Sequence, residues 1–182
     1  MDFIPKKVFF TKGVGRATEQ LTSFEFALRD AGISPFNLVS VSSILAPKAE
    51  IIPKAEGLKY LHSGQVVFTV LSRCAANEPN RLIAASVGCA IPADKEIYGY
   101  LSEHHAFGQT DDRAGEYAED LAATMLASSL GVPFDSNTAW DEREQQFKMS
   151  GKFVKTMNVT QSAVCDKEGN WTSVVAAAVL IL

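Results

Sequence analysis

A chain of 182 residues, 47% apolar and 21% charged, is long enough to bury one ordinary globular core. Its net charge of −4 and the lack of any Lys/Arg-rich run argue against nucleic acid as a partner. Three cysteines, Cys74, Cys89 and Cys165, form neither a metal-ligand spacing nor an even disulfide set, which points to the reducing cytoplasm. The N-terminus has no apolar stretch of signal-peptide type, so no membrane association is expected.

Residues 7–11 are β-prone and lead into Gly13-Val14-Gly15, which reads as a turn. An amphipathic helix follows. Thr22 and Glu25 have the spacing of a capping box, Leu21 can staple onto Phe26, and Phe24, Ala27, Leu28 and Ala31 form one apolar face that Gly32 ends. Residues 37–43 form the next expected strand, closed by the region of Pro47. Further strands are expected over 65–72, 81–91 and 98–104, with 73–80 as a loop between the first two.

Thr110-Asp111-Asp112 then caps the most regular helix. Ala114, Tyr117, Ala118, Leu121, Ala122, Met125 and Leu126 recur at helical spacing, and Gly131 and Pro133 close it. A short polar helix is expected over 137–146, and two final strands over 153–164 and 172–182. The apolar run 174–182 is only about half as long as a membrane span and reads as a buried strand. No linker, repeat or low-complexity tract divides the chain, so a single α+β domain over 1–182 is expected. Its strand runs are apolar on more than one side, so some sheet surface is expected to be covered by another sheet or by a second subunit.

Two consecutive hydroxyls, Ser42 and Ser43, sit where the β-prone run 37–43 ends. Serines in such settings most often bond to nearby backbone. The wording around them, Val41-Ser42-Ser43-Ile44-Leu45, is more specific. So are the pieces that follow in order: Phe24-Glu25-Phe26-Ala27-Leu28-Arg29-Asp30-Ala31-Gly32, Ala84-Ala85-Ser86-Val87-Gly88, Ala90-Ile91-Pro92, residues 99–103 and an alanine-rich last strand. Together they cover most of the chain and resemble the pyruvoyl-dependent arginine decarboxylases.

That resemblance implies cleavage between Ser42 and Ser43 into residues 1–42 and 43–182, with Ser43 converted into a covalent pyruvoyl group. It further implies a four-layer αββα sandwich assembled as a homotrimer, with arginine converted to agmatine and carbon dioxide between subunits. The chemistry is coherent. A carbonyl condensed with the substrate amine accepts the electrons left on the α-carbon when carbon dioxide departs, as pyridoxal phosphate does elsewhere. No glycine-rich phosphate loop credible enough to hold a separate cofactor is present, Gly13-Val14-Gly15 being a weak match.

Three further side chains carry expectations. Asn37, six residues before Ser43 and on the same side of an extended strand, is a candidate hydrogen-bond donor to the cleavage oxyanion or to the substrate; otherwise it is a turn residue. The resemblance places the catalytic acid at Glu103, within Gly99-Tyr100-Leu101-Ser102-Glu103-His104-His105, and the guanidinium-binding carboxylate at Glu25, where the family also uses Asp. Adjacent His104 and His105 point to opposite faces of a strand, so no metal site is expected, though one of them could tune Glu103. Asn80 and Arg81 read as loop solvation or a subunit contact, with the substrate carboxylate as the alternative, and Trp140 and Trp171 as packing. Two other functions remain open at this point: a pyruvoyl enzyme for a different amino acid, such as lysine or ornithine, and an unprocessed trimeric binding protein.

Overall fold

The computed structural model describes residues 3–133 and 150–182; the helix expected over 137–146, and Trp140 with it, lie outside the described residues. Two sheets carry the fold. A five-stranded sheet has the order β2-β5-β9-β1-β4, built from β1 (Lys7–Ala17), β2 (Asn37–Ser40), β4 (Glu50–Ile51), β5 (Val66–Ala76) and β9 (Trp171–Ile181). A four-stranded sheet has the order β3-β7-β6-β8, from β3 (Ile44–Leu45), β6 (Leu82–Pro92), β7 (Gly99–Phe107) and β8 (Phe153–Val164).

Alternation along β9 explains how these sheets pack. Val174, Ala176, Ala178 and Leu180 join a core shared with Ile83, Ala85, Val87, Cys89 and Leu101 of the other sheet. Val175, Ala177, Val179 and Ile181 face the opposite way, onto α1 (Gln20–Ala31). The final strand is therefore buried on both faces, which is why residues 174–181 are apolar without a break. Ala90 on β6 meets α3 (Asp111–Ser129) through Ala122, Ala123 and Leu126, so the four-stranded sheet is likewise covered.

The glycines of 13–15 are not a turn. β1 runs unbroken through them and pairs with β9 at every residue. Their role is close approach: a Cβ on Gly13 would lie 2.3 Å from the Ala27 carbonyl oxygen, and one on Gly15 only 2.1 Å from that of Ser23. Helix α1 thus rests directly on the β1 backbone. Gly15→Ala is expected to lower stability by about 1–3 kcal/mol through overpacking, read as a drop in the denaturation midpoint at unchanged m-value.

Helix α1 also begins earlier than its sequence suggests. Its N-cap is Glu19, without a side-chain cap bond, and Thr22 and Glu25 lie inside the helix rather than forming a capping box. Leu21 is exposed and staples nothing. What sets this end is tertiary: buried Ser23 meets Ser173 of β9 at 2.7 Å between hydroxyl oxygens. Its far end matches expectation, with Gly32 at φ 75° and the Ile33 N–H donating to the Leu28 carbonyl at 2.9 Å. In α3, Thr110 caps the helix by accepting from the Arg113 N–H, and Asp111 and Asp112 fill the first turn.

Strand β5 continues to Ala76, through much of the expected 73–80 loop, because β9 pairs with it as far as Ala76↔Thr172. Strand β4, the short α2 (Lys54–Gly57) and the 3₁₀ turn Leu58–Tyr60 are too short to show a periodic pattern, and none was expected. The most consequential difference concerns β2. It stops at Ser40, and the next paired residues, Ile44 and Leu45, belong to the other sheet.

Candidate active site

Ser42 and Ser43 lie where the chain passes from one sheet to the other. On the upstream side the Val41 N–H bonds to the Thr69 carbonyl of β5 at 2.9 Å; downstream, Ile44 and Leu45 pair with Tyr100 and Gly99 of β7. Ser43 itself is pinned by its carbonyl, which accepts from the Leu101 N–H at 2.7 Å. The Ser42 carbonyl accepts from the Ile44 N–H at 3.0 Å, bending the backbone at Ser43. Beside the junction, Val41, Ser42, Ile44, Phe68, Ile4 and Pro5 line a mostly apolar cavity of about 460 Å³.

Glu103 belongs to the same notch. Continuing the β3–β7 register puts Ser43 opposite Leu101, and Glu103 lies two residues farther along the same face. Such diagonal positions are about 7–8 Å apart. Glu103 pairs across the sheet with Val87, and both face the neighbouring sheet. Among the described residues no strand pairs with that edge of β7 beyond the two residues of β3, and Glu103 is exposed. Partial burial pushes the Glu103 carboxyl above its ordinary value, while the Leu71 backbone and His105 pull the other way.

His104 and His105 do part company, as alternation requires. His104 faces α3, its ring 4.5 Å from that of Tyr117 and its Nε2 2.9 Å from Gln109 Oε1. His105 shares the Glu103 face and acts on the Glu103 carboxyl.

The remaining candidates are not brought to the notch within one chain. Asn37 lies at the opposite end of β2, at least four strand residues or about 13 Å from Val41. Its Nδ2 donates to the Gly64 carbonyl at 2.7 Å. Within the chain Asn37 anchors the start of β2 against the β5 turn, at the end of the strand away from Ser42. Glu25 sits on α1, on the face of the five-stranded sheet turned away from β7, and pairs with Arg29 at 3.0 Å. Arg81 is engaged locally, 2.8 Å from Glu78 and stacked over Phe107. The backbone donors at the junction, Leu101 and Ile44, escaped the sequence reading because an N–H leaves no trace in residue identity.

The comparisons with known proteins bear on the whole of this arrangement. Residues 7–182 match the model of the pyruvoyl-dependent arginine decarboxylase family. The chain belongs to that family. It is 63% identical over its full length to the whole of a protein of Chloroherpeton thalassium named as a probable pyruvoyl-dependent arginine decarboxylase. Identity is 56%, again over both full chains, to the pyruvoyl-dependent arginine decarboxylase of Nitrosopumilus maritimus. With pyruvoyl-dependent arginine decarboxylase 2 of Methanosarcina mazei it is 54%, covering 98% of this chain and 97% of the other.

Membership in the pyruvoyl-dependent arginine decarboxylase family implies a covalently bound pyruvoyl group. The residues here fit one at Ser43. A chain end starting at this residue would stay fixed to β7 through the Leu101 N–H and the pairing of β3. The preceding residues belong to β2 and the other sheet, so a break at this junction separates no strand from its ladder. Among the described residues, no helix is long and apolar enough to cross a membrane, and all three cysteines are free and buried.

Proposed function

We propose that this chain decarboxylates L-arginine to agmatine and carbon dioxide, using a pyruvoyl group that it makes from its own Ser43. The observation that carries the reading is the Ser42–Ser43 peptide at the crossing between sheets, fixed to β7 on one side and sharing a face with Glu103. The names of the full-length relatives support arginine as the substrate. In this reading the Ser43 hydroxyl attacks the Ser42 carbonyl carbon and the amide becomes an ester. Loss of the Ser43 α-proton then expels the Ser42 carboxylate and leaves a dehydroalanine. One water converts this to the keto group and releases ammonia. Once present, the group supplies an electron-accepting carbonyl for the charge that develops on the substrate α-carbon.

The chain's own residues then have distinct tasks. Glu103, held protonated to higher pH than an ordinary carboxyl, returns a proton to the α-carbon. Leu101 holds the new chain end in place. The domain would be a four-layer αββα sandwich that assembles as a homotrimer, and Glu25 would reach the guanidinium from a neighbouring subunit. Asn37 would come near a reacting centre in the same way, across that interface.

The test is the intact mass of purified protein under denaturing conditions. Two fragments, 1–42 and 43–182, are expected, the larger blocked to N-terminal sequencing. A single full-length mass with retained arginine decarboxylation would overturn the reading.

A further expected result concerns Glu25. Glu25→Gln should leave cleavage intact and raise KM for arginine at least about tenfold, because a neutral amide cannot make the charged, two-pronged pairing with a guanidinium. Its loss from the exposed pair with Arg29 should cost no more than about 0.5 kcal/mol, so steady-state kinetics and a melting curve separate the two effects.

A further inference from the structure

Strands β5 and β7 belong to different sheets, so no ladder sets one against the other. Their apolar side chains meet in a shared core, but apolar packing is non-directional and sets a register only loosely. Directional bonds do more. The Ser72 hydroxyl of β5 donates to the His104 carbonyl of β7 at 2.6 Å, and the Cys74 thiol reaches the Ala106 carbonyl at 3.9 Å. Both pairs are 32 positions apart in sequence, so the two strands advance together.

Leu71 and Glu103 share that offset, and the Leu71 backbone hydrogen-bonds to the Glu103 carboxyl. The early end of β2 explains the bond. Gln65 and Thr69 turn their carbonyls toward β2, accepting from the Asn37 N–H at 2.8 Å and the Val41 N–H at 2.9 Å. By strand alternation Leu71 presents its N–H on that same edge. There β2 has stopped at Ser40 and the chain has left for the other sheet. Glu103 takes up a donor that β2 leaves open, and does so only while β7 stays in register with β5.

Ser72 is out of keeping with its surroundings. Val70 and Cys74 on the same face lie in the core between the sheets, among Ile83, Ala85, Val87 and Leu101, and Ser72 is only 3% exposed. A hydroxyl in such a place is costly unless it is bonded, and the partner it has is the β7 backbone one residue from Glu103. Resting on the acid role read for Glu103 above, we infer that Ser72 is a positioning residue for the decarboxylation: its hydroxyl locks β7 to β5 beside Glu103 and so places the proton donor. It touches no reacting atom. Glu103 is exposed at the edge of its sheet, so its placement depends on how that edge is held. A displacement of about 1 Å in such a group can cost on the order of 10²-fold in rate.

The experiment measures splitting by intact mass and steady-state decarboxylation of arginine in Ser72→Ala, alone and combined with Glu103→Gln. Ser72→Ala should split as the wild type does, hold KM within about twofold and lose at least about fivefold in kcat. In the Glu103→Gln background the same substitution should cost less than about twofold, because residues that act through one another are not additive. Ser72→Thr keeps the hydroxyl and should recover most of the loss. The control is Ser86→Ala. Ser86 is equally buried, but its hydroxyl bonds to that of Thr160 within the four-stranded sheet, and removing it should change kcat by less than about twofold.

Loss of kcat by the same factor in both backgrounds overturns the inference, because the hydroxyl would then serve the fold and not Glu103. Wild-type turnover in Ser72→Ala, or an equal loss in Ser86→Ala, overturns it as well. Should Ser72→Ala fail to split, Ser72→Cys, which keeps a weaker donor in a similar volume, carries the same comparison. Failure of both to split also overturns the inference, since the lock would then serve the making of the site. A Glu103→Gln variant with wild-type turnover removes the acid role and the inference together, whereas a slow Glu103→Gln beside a fully active Ser72→Ala removes the inference alone.

Discussion

Ser43→Ala is expected to give a single uncut chain with no measurable decarboxylation of arginine, the largest effect of any substitution considered. Alanine supplies no oxygen to attack the Ser42 carbonyl and no leaving group at Cβ, so neither the break nor the electrophile can form. Side-chain loss should leave the fold alone. Both fixed bonds at the junction, from Leu101 to the Ser43 carbonyl and from Ile44 to the Ser42 carbonyl, are backbone bonds that alanine keeps. A melting temperature close to that of uncut wild-type chain, together with one full-length mass, would separate lost chemistry from lost structure. Borohydride should inactivate the wild type and leave no mark on the variant. Retained activity in Ser43→Ala would remove the electrophile from this residue.

Much of this was legible because two different periodicities were strong. The break-free apolar run of β9 is the pattern of a strand covered on both faces, and the helical spacing of α3 between Thr110 and Gly131 left little choice. Other elements depended on partners far away in sequence. Gly13 and Gly15 look like a turn in isolation, and only α1 lying across them shows that their missing side chains are what matters. Thr22 and Glu25 fit a capping box, yet Ser23 bonding to Ser173 starts the helix earlier.

The site divides in the same manner. The serine pair and Glu103 stood out by residue type and by resemblance, and the register of β3 on β7 puts them on one face. Asn37 lies apart from Ser42 within one chain, because a shared face says nothing about distance along a strand. Six residues of extended chain span about 20 Å, and the crossing after Ser40 turns the path away.

Glu103→Gln separates making the site from using it. Cleavage is expected to persist, since the variant keeps Ser43 and every backbone bond around it, while turnover falls by about 10²–10⁴-fold, the usual worth of a positioned acid. The pH dependence carries the sign of the shift. Burial raises the Glu103 carboxyl, so it keeps its proton to higher pH than a free glutamate. A proton donor works in that protonated form, and wild-type turnover should therefore fall as pH rises through the raised value. Stability should move in the same direction. The folded chain holds this proton where the unfolded chain has lost it, so the Glu103 contribution weakens with rising pH between the two values. In Glu103→Gln the alkaline fall in turnover should flatten, because the amide has no proton to lose in that range. His105→Ala should raise the midpoint of the wild-type profile, since the histidine pulls the Glu103 carboxyl down. Wild-type turnover in Glu103→Gln would remove the residue from the acid role. An unchanged alkaline limb in an otherwise slow variant would instead place the titrating group elsewhere on the notch and leave Glu103 as a positioning residue.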